Sequence, residues 1–438
     1  MSGNKPSVVV DMLLFATLFG LYFLALFVKP SPYRRLIFIP IAAVVAYMMM
    51  STRGADSLPG RGSTIASITM PLLFSASDFI LLTEVQRELR RKGQTVRADR
   101  MEWRARLGWA FGLFSSPRGI GWKSLGSEHA NRSASNTRWT FVKRQIIKLV
   151  VYGIVLDLLR WHDRWNPCYA KDGPSITAFG WAWRSFNMFS WVIQVYIQID
   201  RLYRVVGTLS VLARLSSPEE WPSFFGDLRD AYTVRRFWGR TWHQLLRRIL
   251  MSHARFVANQ GLGLKRGTRK DALVQLYTAF FISGLIHSGI DYSLYGWKTV
   301  SRCVWCLSGG SSTGSGHGGD GVGGSGGGGG AMSFFLRQPV AIILEEAVIE
   351  FANKAFPDVV RSRSRTRRLW WRVLGYLWVL TWFTYCLPMW LDLLIKSGMF
   401  EFDFATGYEM SRHFRQSGFK SAELVTSAVV PYHSGLLA

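Results

Sequence analysis

The chain has 438 residues, 49% of them apolar and 14% aromatic, and carries a net charge of +25. The apolar residues gather into blocks of about 18 to 25, the length that crosses a bilayer core of roughly 30 Å, which excludes an ordinary set of soluble domains. The basic residues stand between those blocks and not on motif-bearing segments, which argues against nucleic-acid binding and fits charge flanking membrane spans, with attraction to anionic lipid or an anionic cofactor in addition.

The first block, Val8 to Val28, is too long for a signal-peptide core. Lys29-Pro30-Ser31-Pro32 follows it without a small-residue cleavage pattern, so it reads as a retained span. Further spans are expected at Leu36 to Met50, Ser63 to Leu82, Gln145 to Leu159, Thr177 to Ile199, Leu273 to Leu294, Ser333 to Phe351 and Val373 to Ile395. Leu202 to Leu215 reads either as one more span or as an interfacial continuation. The expected fold is all-α, a polytopic membrane helical bundle of about eight transmembrane helices, plus or minus two, forming one domain over residues 1–438.

Residues 84–144 form a basic segment (Arg87, Arg90, Arg91, Lys92, Arg97, Arg100, Arg104, Arg106), and residues 200–270 and 354–372 are basic too. With eight spans all three segments fall on one side, which the positive-inside bias makes cytosolic, leaving both termini lumenal. The sequon at Asn131 is then expected to stay unglycosylated. Residues 308–331 make a Gly/Ser-rich stretch expected to be a flexible, tolerated insertion. It lacks the Lys-Ser/Thr ending and the strand-turn-helix setting of a phosphate-cradling loop. Cys168, Cys303, Cys306 and Cys386 are too few and too scattered for a disulfide framework. Cys303-Val304-Trp305-Cys306 has redox or half-zinc-site spacing, but no second pair or His cluster completes it, so no metal is expected.

Polar and ionisable groups inside spans are costly and usually face a bundle interior. Here they are Asp78, Arg184 with Asn187, His287 with Asp291, and Glu345-Glu346. His287 lies in FFISGLIHSGIDYSL, with Ser283 one turn earlier and Asp291 one turn later on the same helical face. Imidazole can take and return a proton near neutral pH, as a general base acting on an alcohol must. Ser283, Gly284 and Gly289 would let a substrate or another helix approach. Taken alone, His287 serves equally well as a packing histidine hydrogen-bonded between helices. His287 to Asp291 also spells the HxxxD of soluble plant acyltransferases, a coincidence because the accompanying DFGWG is absent, although Asp291 could still orient the imidazole.

A second constellation is Arg235 to Gln244, RRFWGRTWHQ, preceded by EEWPSFFG over Glu219 to Gly226. Aromatics and cations at this density mark the membrane surface, which leaves His243 unexplained. Together FWGRTWHQLLRR, EEWPSFFG and FFISGLIH resemble the wax synthase-like branch of the membrane-bound O-acyltransferase superfamily, which includes plant wax synthases and fungal terpenoid and meroterpenoid O-acetyltransferases. SFFLRQPVAIILEEAV and RRLWWRVLGYLWVLTWF are similar to the C-terminal segments of that branch, and FSASDFILLTEVQRELRRKGQ and SSPRGIGW to fungal members in particular. Outside residues 217–290, the wax synthase-like catalytic core, the likeness is diffuse.

The resemblance implies a helical bundle enclosing a reaction chamber, with acyl-CoA, acetyl-CoA in the fungal type, entering from the cytosol and a hydrophobic alcohol arriving from the membrane, the endoplasmic reticulum. The embedded histidine of the superfamily matches His287. Sterol and diacylglycerol acyltransferases carry an FYxDWWN-type motif with an asparagine where this chain has His243. That departure favours a donor or positioning role for His243 while His287 removes the alcohol proton. Trp238, Trp242, Ser283 and Asp291 are the candidate substrate contacts. Arg236, Arg240 and Arg247, with Arg235 and Arg248, are either acyl-CoA contacts or ordinary positive-inside flanking. A wax or sterol ester synthase using long acyl chains is the rival within the family. A transporter lined by Arg184 and Glu345-Glu346 is the rival outside it, but it predicts inverted repeats or paired broken helices, which the sequence does not contain.

Overall fold

The computed structural model describes residues 8–52, 60–116, 118–123, 137–296, 330–357 and 364–398, together with 402–403 and 408–409. Asn131, Cys303, Cys306 and all but the last two residues of the Gly/Ser-rich stretch lie outside them.

Three apolar helices open the chain: α1 (Val8–Phe27), α2 (Phe38–Ser51) and α3 (Arg61–Ser77). A 3-10 turn at Pro32–Ile37, capped by Ser31, precedes α2, and α3 runs on into a π-helical turn at Asp78–Leu82. A π turn leaves carbonyls off the regular ladder, and a buried arginine meets them. Arg34 Nη1 donates to Ala25 O and Phe79 O at 3.1 Å each, and Nη2 reaches Thr83 O at 3.4 Å. Short α4 (Val85–Glu88) and α5 (Trp103–Phe114) follow.

Two long helices come next, α6 (Arg138–Trp165) and α7 (Trp181–Leu212). Thr137 caps α6 by accepting from Thr140 N. Of Leu202 to Leu215, read as either one more span or an interfacial continuation, the residues up to Leu212 continue α7. A short α8 (Val234–Arg236) leads into a second π turn at Phe237–Thr241. Beyond it lie α9 (Arg247–Arg255), a third π turn at Phe256–Gly261, and α10 (Arg269–Tyr295), whose cap Thr268 accepts from Asp271 N. The last helices are α11 (Ala331–Ala355), α12 (Arg365–Cys386) and α13 (Pro388–Lys396). The span expected over Val373 to Ile395 is thus two helices, bent by 42° where Pro388 supplies no N–H to the ladder. Two antiparallel strands of two residues, Phe402–Asp403 and Tyr408–Glu409, are the only strands among the described residues.

Four of these helices are long and apolar enough to cross a membrane: Val8–Phe27, Pro32–Ser51, Arg61–Leu82 and Arg269–Tyr295; the bent α12–α13 pair makes a fifth if it is one span. Helices α6, α7 and α11 have the length, with 28, 32 and 25 residues, but their charges lower their hydropathy. One buried core joins α1, α2, α3 and α5 around Leu18, Ile41, Met48, Ile65 and Trp109. A second joins α7, α11, α12 and α13 around Met188, Phe334, Phe335, Phe383 and Trp390.

Helix α10 packs between them, and its small residues are why it can. A Cβ on Gly284 would sit 2.9 Å from Met332 Sδ on α11, and one on Gly289 would sit 2.6 Å from Met70 Cγ on α3. Of the two uses foreseen for these glycines, close helix approach is the one realised. Both ends of the stretch between α10 and α11 are fastened to α13, one turn apart. Tyr295 donates its hydroxyl to Leu393 O at 2.8 Å, and Gly330 N donates to Met389 O at 3.0 Å.

Candidate active site

Helices α3, α5, α7 and α9 to α13 enclose a cavity of 2420 Å³ lined mainly by apolar and aromatic side chains. Pockets for one small ligand run to roughly 300–1,000 Å³, so this one has room for two substrates.

His287 lies on the wall of this cavity, in the fifth turn of α10. Its Nδ1 is 2.7 Å from the carbonyl oxygen of Ser283. A carbonyl only accepts, so in the neutral ring the proton is on Nδ1 and the lone pair is on Nε2. No described residue hydrogen-bonds to Nε2. The Phe335 ring lies 4.5 Å from the imidazole, tilted by 32°, and the Trp390 ring meets it edge-on at 5.4 Å and 87°.

The other wall is the FWGRTWH segment, and several buried contacts set its course. Thr233 caps α8 by accepting from Arg236 N at 3.0 Å. Glu345 on α11 accepts from Val234 N, from Arg235 N at 3.1 Å and from Trp378 Nε1 at 2.8 Å. Trp238 Nε1 and Trp382 Nε1 both donate to Gln338 Oε1, each at 3.2 Å. Gly226, the last residue of EEWPSFFG, donates its N–H to Thr241 O at 2.9 Å. The two motifs are therefore one packed unit, and a Cβ on Gly226 would lie 1.9 Å from Arg240 O.

Past the π turn the chain becomes extended at Trp242 and presents His243 to the same cavity as His287. The His243 ring sits among Phe224, Phe225 and Trp242, with centroids 6.0, 5.8 and 5.5 Å away, and its Nδ1 has no partner among the described residues. Burial, with His287 and Arg118 nearby, pushes the imidazole down to about 4. At pH 7 it is neutral, with one nitrogen to donate and one to accept.

Of the residues singled out in the sequence, Trp238, Trp242, His243, Arg247, Ser283 and His287 line the cavity. Ser283 meets His287 through its backbone carbonyl, not its hydroxyl. Asp291 does not touch the imidazole. Its carboxylate is 2% exposed, off the cavity wall, and accepts from Ala331 N at 2.8 Å and Trp390 Nε1 at 2.9 Å, because those donors project onto it from the facing helices. Arg236 and Arg240 also lie off the wall, turned toward Asp230 at 3.0 and 3.9 Å. Arg248 pairs with the buried Asp78 at 2.9 Å, whereas Arg235 lines the cavity and pairs with Glu346. The polar groups that would have lined a transporter path have other partners: Glu345 and Glu346 as above, and Arg184, which donates to Tyr385 O at 2.8 Å. Asn187, on the same helix as Arg184, accepts from Asn166 at 2.7 Å.

Phe335 and Trp390 were missed in the sequence because nothing in an apolar run distinguishes a ring on a cavity wall from one in a core. Arg118 was missed too. It lines the cavity, with its guanidinium 5.1 Å over Phe224 and Nη2 donating to Ser223 O at 3.0 Å. Its segment SSPRGIGW had drawn notice only through resemblance.

The chain matches the membrane bound O-acyl transferase family over residues 221–307, which take in Trp238, Trp242, His243, His287 and Asp291. It is 33% identical to the acetyltransferase eriL of Hericium erinaceus over 381 residues, 86% of this chain and 89% of the relative. It is 32% identical to the acetyltransferase ple2 of Rhodocybe pseudopiperita over the same shares, and 33% identical to the acetyltransferase sirH of Emericella nidulans over 44% of this chain and 46% of that one. No solved structure matches it. A chain with that family match, kinship to fungal acetyltransferases over 86% of its length and several helices long and apolar enough to cross a membrane is an integral membrane acyltransferase and belongs to the membrane-bound O-acyltransferase family.

Proposed function

We propose that the protein transfers the acetyl group of acetyl-CoA to the hydroxyl of a bulky apolar alcohol, of terpenoid type, in secondary metabolism, with His287 as general base. The observation that carries this reading is the state of His287: Nδ1 tied to Ser283 O, Nε2 open toward a chamber large enough for both substrates. The acetyl donor and the terpenoid setting rest on the relatives being acetyltransferases and on the resemblance of the sequence to fungal terpenoid acetyltransferases.

In this mechanism His287 Nε2 takes the alcohol proton as the oxygen attacks the thioester carbonyl. The carbon–sulfur bond breaks, and the departing sulfur takes the proton back from the imidazolium, so CoA leaves as a thiol. His243, neutral at pH 7, donates a hydrogen bond to the carbonyl oxygen as charge develops on it. Trp238 and Trp242 wall the alcohol, and Arg247, with Arg118, faces the anionic CoA. Both cysteines in the described residues, Cys168 and Cys386, are buried off the chamber wall, which favours direct transfer over an acyl-enzyme.

Eight spans follow if α6, α7 and α11 cross as well. Helix α6 turns Ile147, Val150, Ile154 and Leu158 outward, each more than half exposed, as a lipid-facing stripe requires. The basic segments then share the cytosolic side of the endoplasmic reticulum, where acyl-CoA is made available. The cavity volume also suits a long acyl chain, which keeps wax or sterol ester synthesis as the second reading.

Microsomes bearing the protein, given labelled acetyl-CoA or palmitoyl-CoA with a panel of terpenoid, sterol and fatty alcohols, should yield acetate esters identified by mass. His287→Ala should lower kcat by about a hundred- to ten-thousandfold, the range of general-base help, with the protein still in the membrane. Near wild-type turnover in that variant would sink the assignment of His287, and palmitate esters alone would select the second reading.

A further inference from the structure

We propose that Asp291 is a positioning residue for His287, acting through the indole of Trp390. The inference rests on the general-base reading of His287.

A base must hold its lone pair toward the reacting hydroxyl, and one hydrogen bond does not fix a ring. The Nδ1 bond to Ser283 O anchors one corner of the imidazole; the rest is held by packing. Phe335 covers its face, and Trp390 stands perpendicular to it. Trp390 comes from α13, which joins α12 at a bend, so its placement against α10 depends on what ties it there. Tyr295 on Leu393 O fastens the far turn of α13, and the tie that holds the Trp390 ring itself is its Nε1–H, donated to Asp291 Oδ1 at 2.9 Å. Asp291 is on α10 itself, one turn after His287. The helix that carries the base thereby also carries the group that locates the wall against it.

The chemistry of the carboxylate favours this role over a contact with substrate. Both of its oxygens are occupied, Oδ2 by Ala331 N at 2.8 Å, and it is 2% exposed and off the chamber wall. A carboxylate is costly to bury, and an apolar residue would pack the same space more cheaply. The Ala331 bond alone would account for a tie between α10 and the start of α11. It does not account for the second oxygen, which is committed to the one indole that abuts the imidazole.

The test is a double-mutant cycle on initial rates in microsomes, with labelled acetyl-CoA as donor and protein amount set by immunoblot. Trp390→Phe keeps a ring and removes the N–H; Asp291→Ala removes the acceptor. Each should lower kcat by about ten- to a hundredfold, the scale of a misplaced catalytic group, with the KM for acetyl-CoA changed by no more than about twofold. The double variant should be no slower than Asp291→Ala, because both changes break one bond. Losses that multiply in the double variant would overturn the proposal, as would a Trp390→Phe enzyme with wild-type kcat or an effect confined to KM. If Asp291→Ala does not accumulate, Asp291→Leu, of similar shape and without an acceptor, enters the cycle in its place with the same expectation. His287→Ala is run beside them. Activity there would remove the general base, whereas multiplicative losses with His287→Ala inactive would remove only the positioning role.

Discussion

Replacing Glu345 with glutamine isolates what the carboxylate does for the segment that carries His243. In the wild type it receives three N–H groups, two from the first turn of α8 and one from Trp378. A glutamine has one oxygen to offer, and its amide nitrogen meets a donor with a donor. One charge-assisted bond is lost, worth about 1.5–3 kcal/mol, and a buried N–H is left without an acceptor at a further 1–3 kcal/mol or so. A net loss of about 3 kcal/mol is roughly a hundredfold in the equilibrium between a seated and a displaced α8. Because the FWGRTWH turn follows α8 directly, the change should lower both the thermal midpoint of the solubilised enzyme, read by fluorescence-detected size exclusion, and kcat in microsomes. Glu346→Gln is the control. Its pair with Arg235 is more than half exposed on both sides, so it should move the midpoint little, in keeping with the worth of about 0–1 kcal/mol of a surface ion pair. Equal midpoints for the Glu345→Gln enzyme and the wild type would refute the reasoning.

Gly226→Ala should leave little folded protein in membranes, since its Cβ would collide with the Arg240 carbonyl, backbone that cannot swing aside; immunoblotting and size exclusion read this directly. His243 gives the enzyme a pH dependence of known sign. Its folded value is depressed below that of the free imidazole, so the unfolded chain binds more protons between about 6.5 and 4; the contribution to stability is complete above the upper value and lost as pH falls through the window. The drop in thermal midpoint from pH 7 to pH 5 should therefore be smaller in His243→Asn than in the wild type, and an equal drop would contradict the assignment. Arg247→Glu should raise the KM for acyl-CoA more than Arg236→Glu does, because Arg247 lines the chamber whereas Arg236 lies off its wall, held by Asp230. Steady-state kinetics with the alcohol saturating make the comparison.

Much of the helical layout was legible because a membrane helix announces itself by length and apolarity. The expected Val8 to Val28 and Leu273 to Leu294 differ from the observed helices by a few residues at most. Charged helices gave weaker signals. The expected Gln145 to Leu159 is the middle of the 28-residue α6, whose ends carry Arg138, Lys143, Arg160 and Arg164. The two histidines were legible as oddities, an imidazole in an apolar run and another in a Trp-rich one. Their meeting in one chamber was expected only through the resemblance; residue patterning could not give it, since it depends on a π turn and on a helix about 100 residues downstream supplying Glu345 and Gln338. Asp291 and Ser283 were placed on the right face at the right spacing, but periodicity cannot tell which atom of a serine will be used or which nitrogen of a histidine a carboxylate will reach. The arginines show the same limit. Five of them beside the motif have similar sequence surroundings, and only their partners, Asp230, Asp78 and Glu346, separate the wall-lining Arg235 and Arg247 from the rest.

The fastening of Tyr295 and Gly330 to adjacent turns of α13 makes the site indifferent to the length of chain inserted between α10 and α11. With its two ends held close together, a connecting segment can lengthen at small entropic expense, about 0.6 kcal/mol for each doubling. Natural variation should accumulate there without touching catalysis, and a reporter domain or affinity tag placed in that stretch should leave turnover intact, giving a handle for purification.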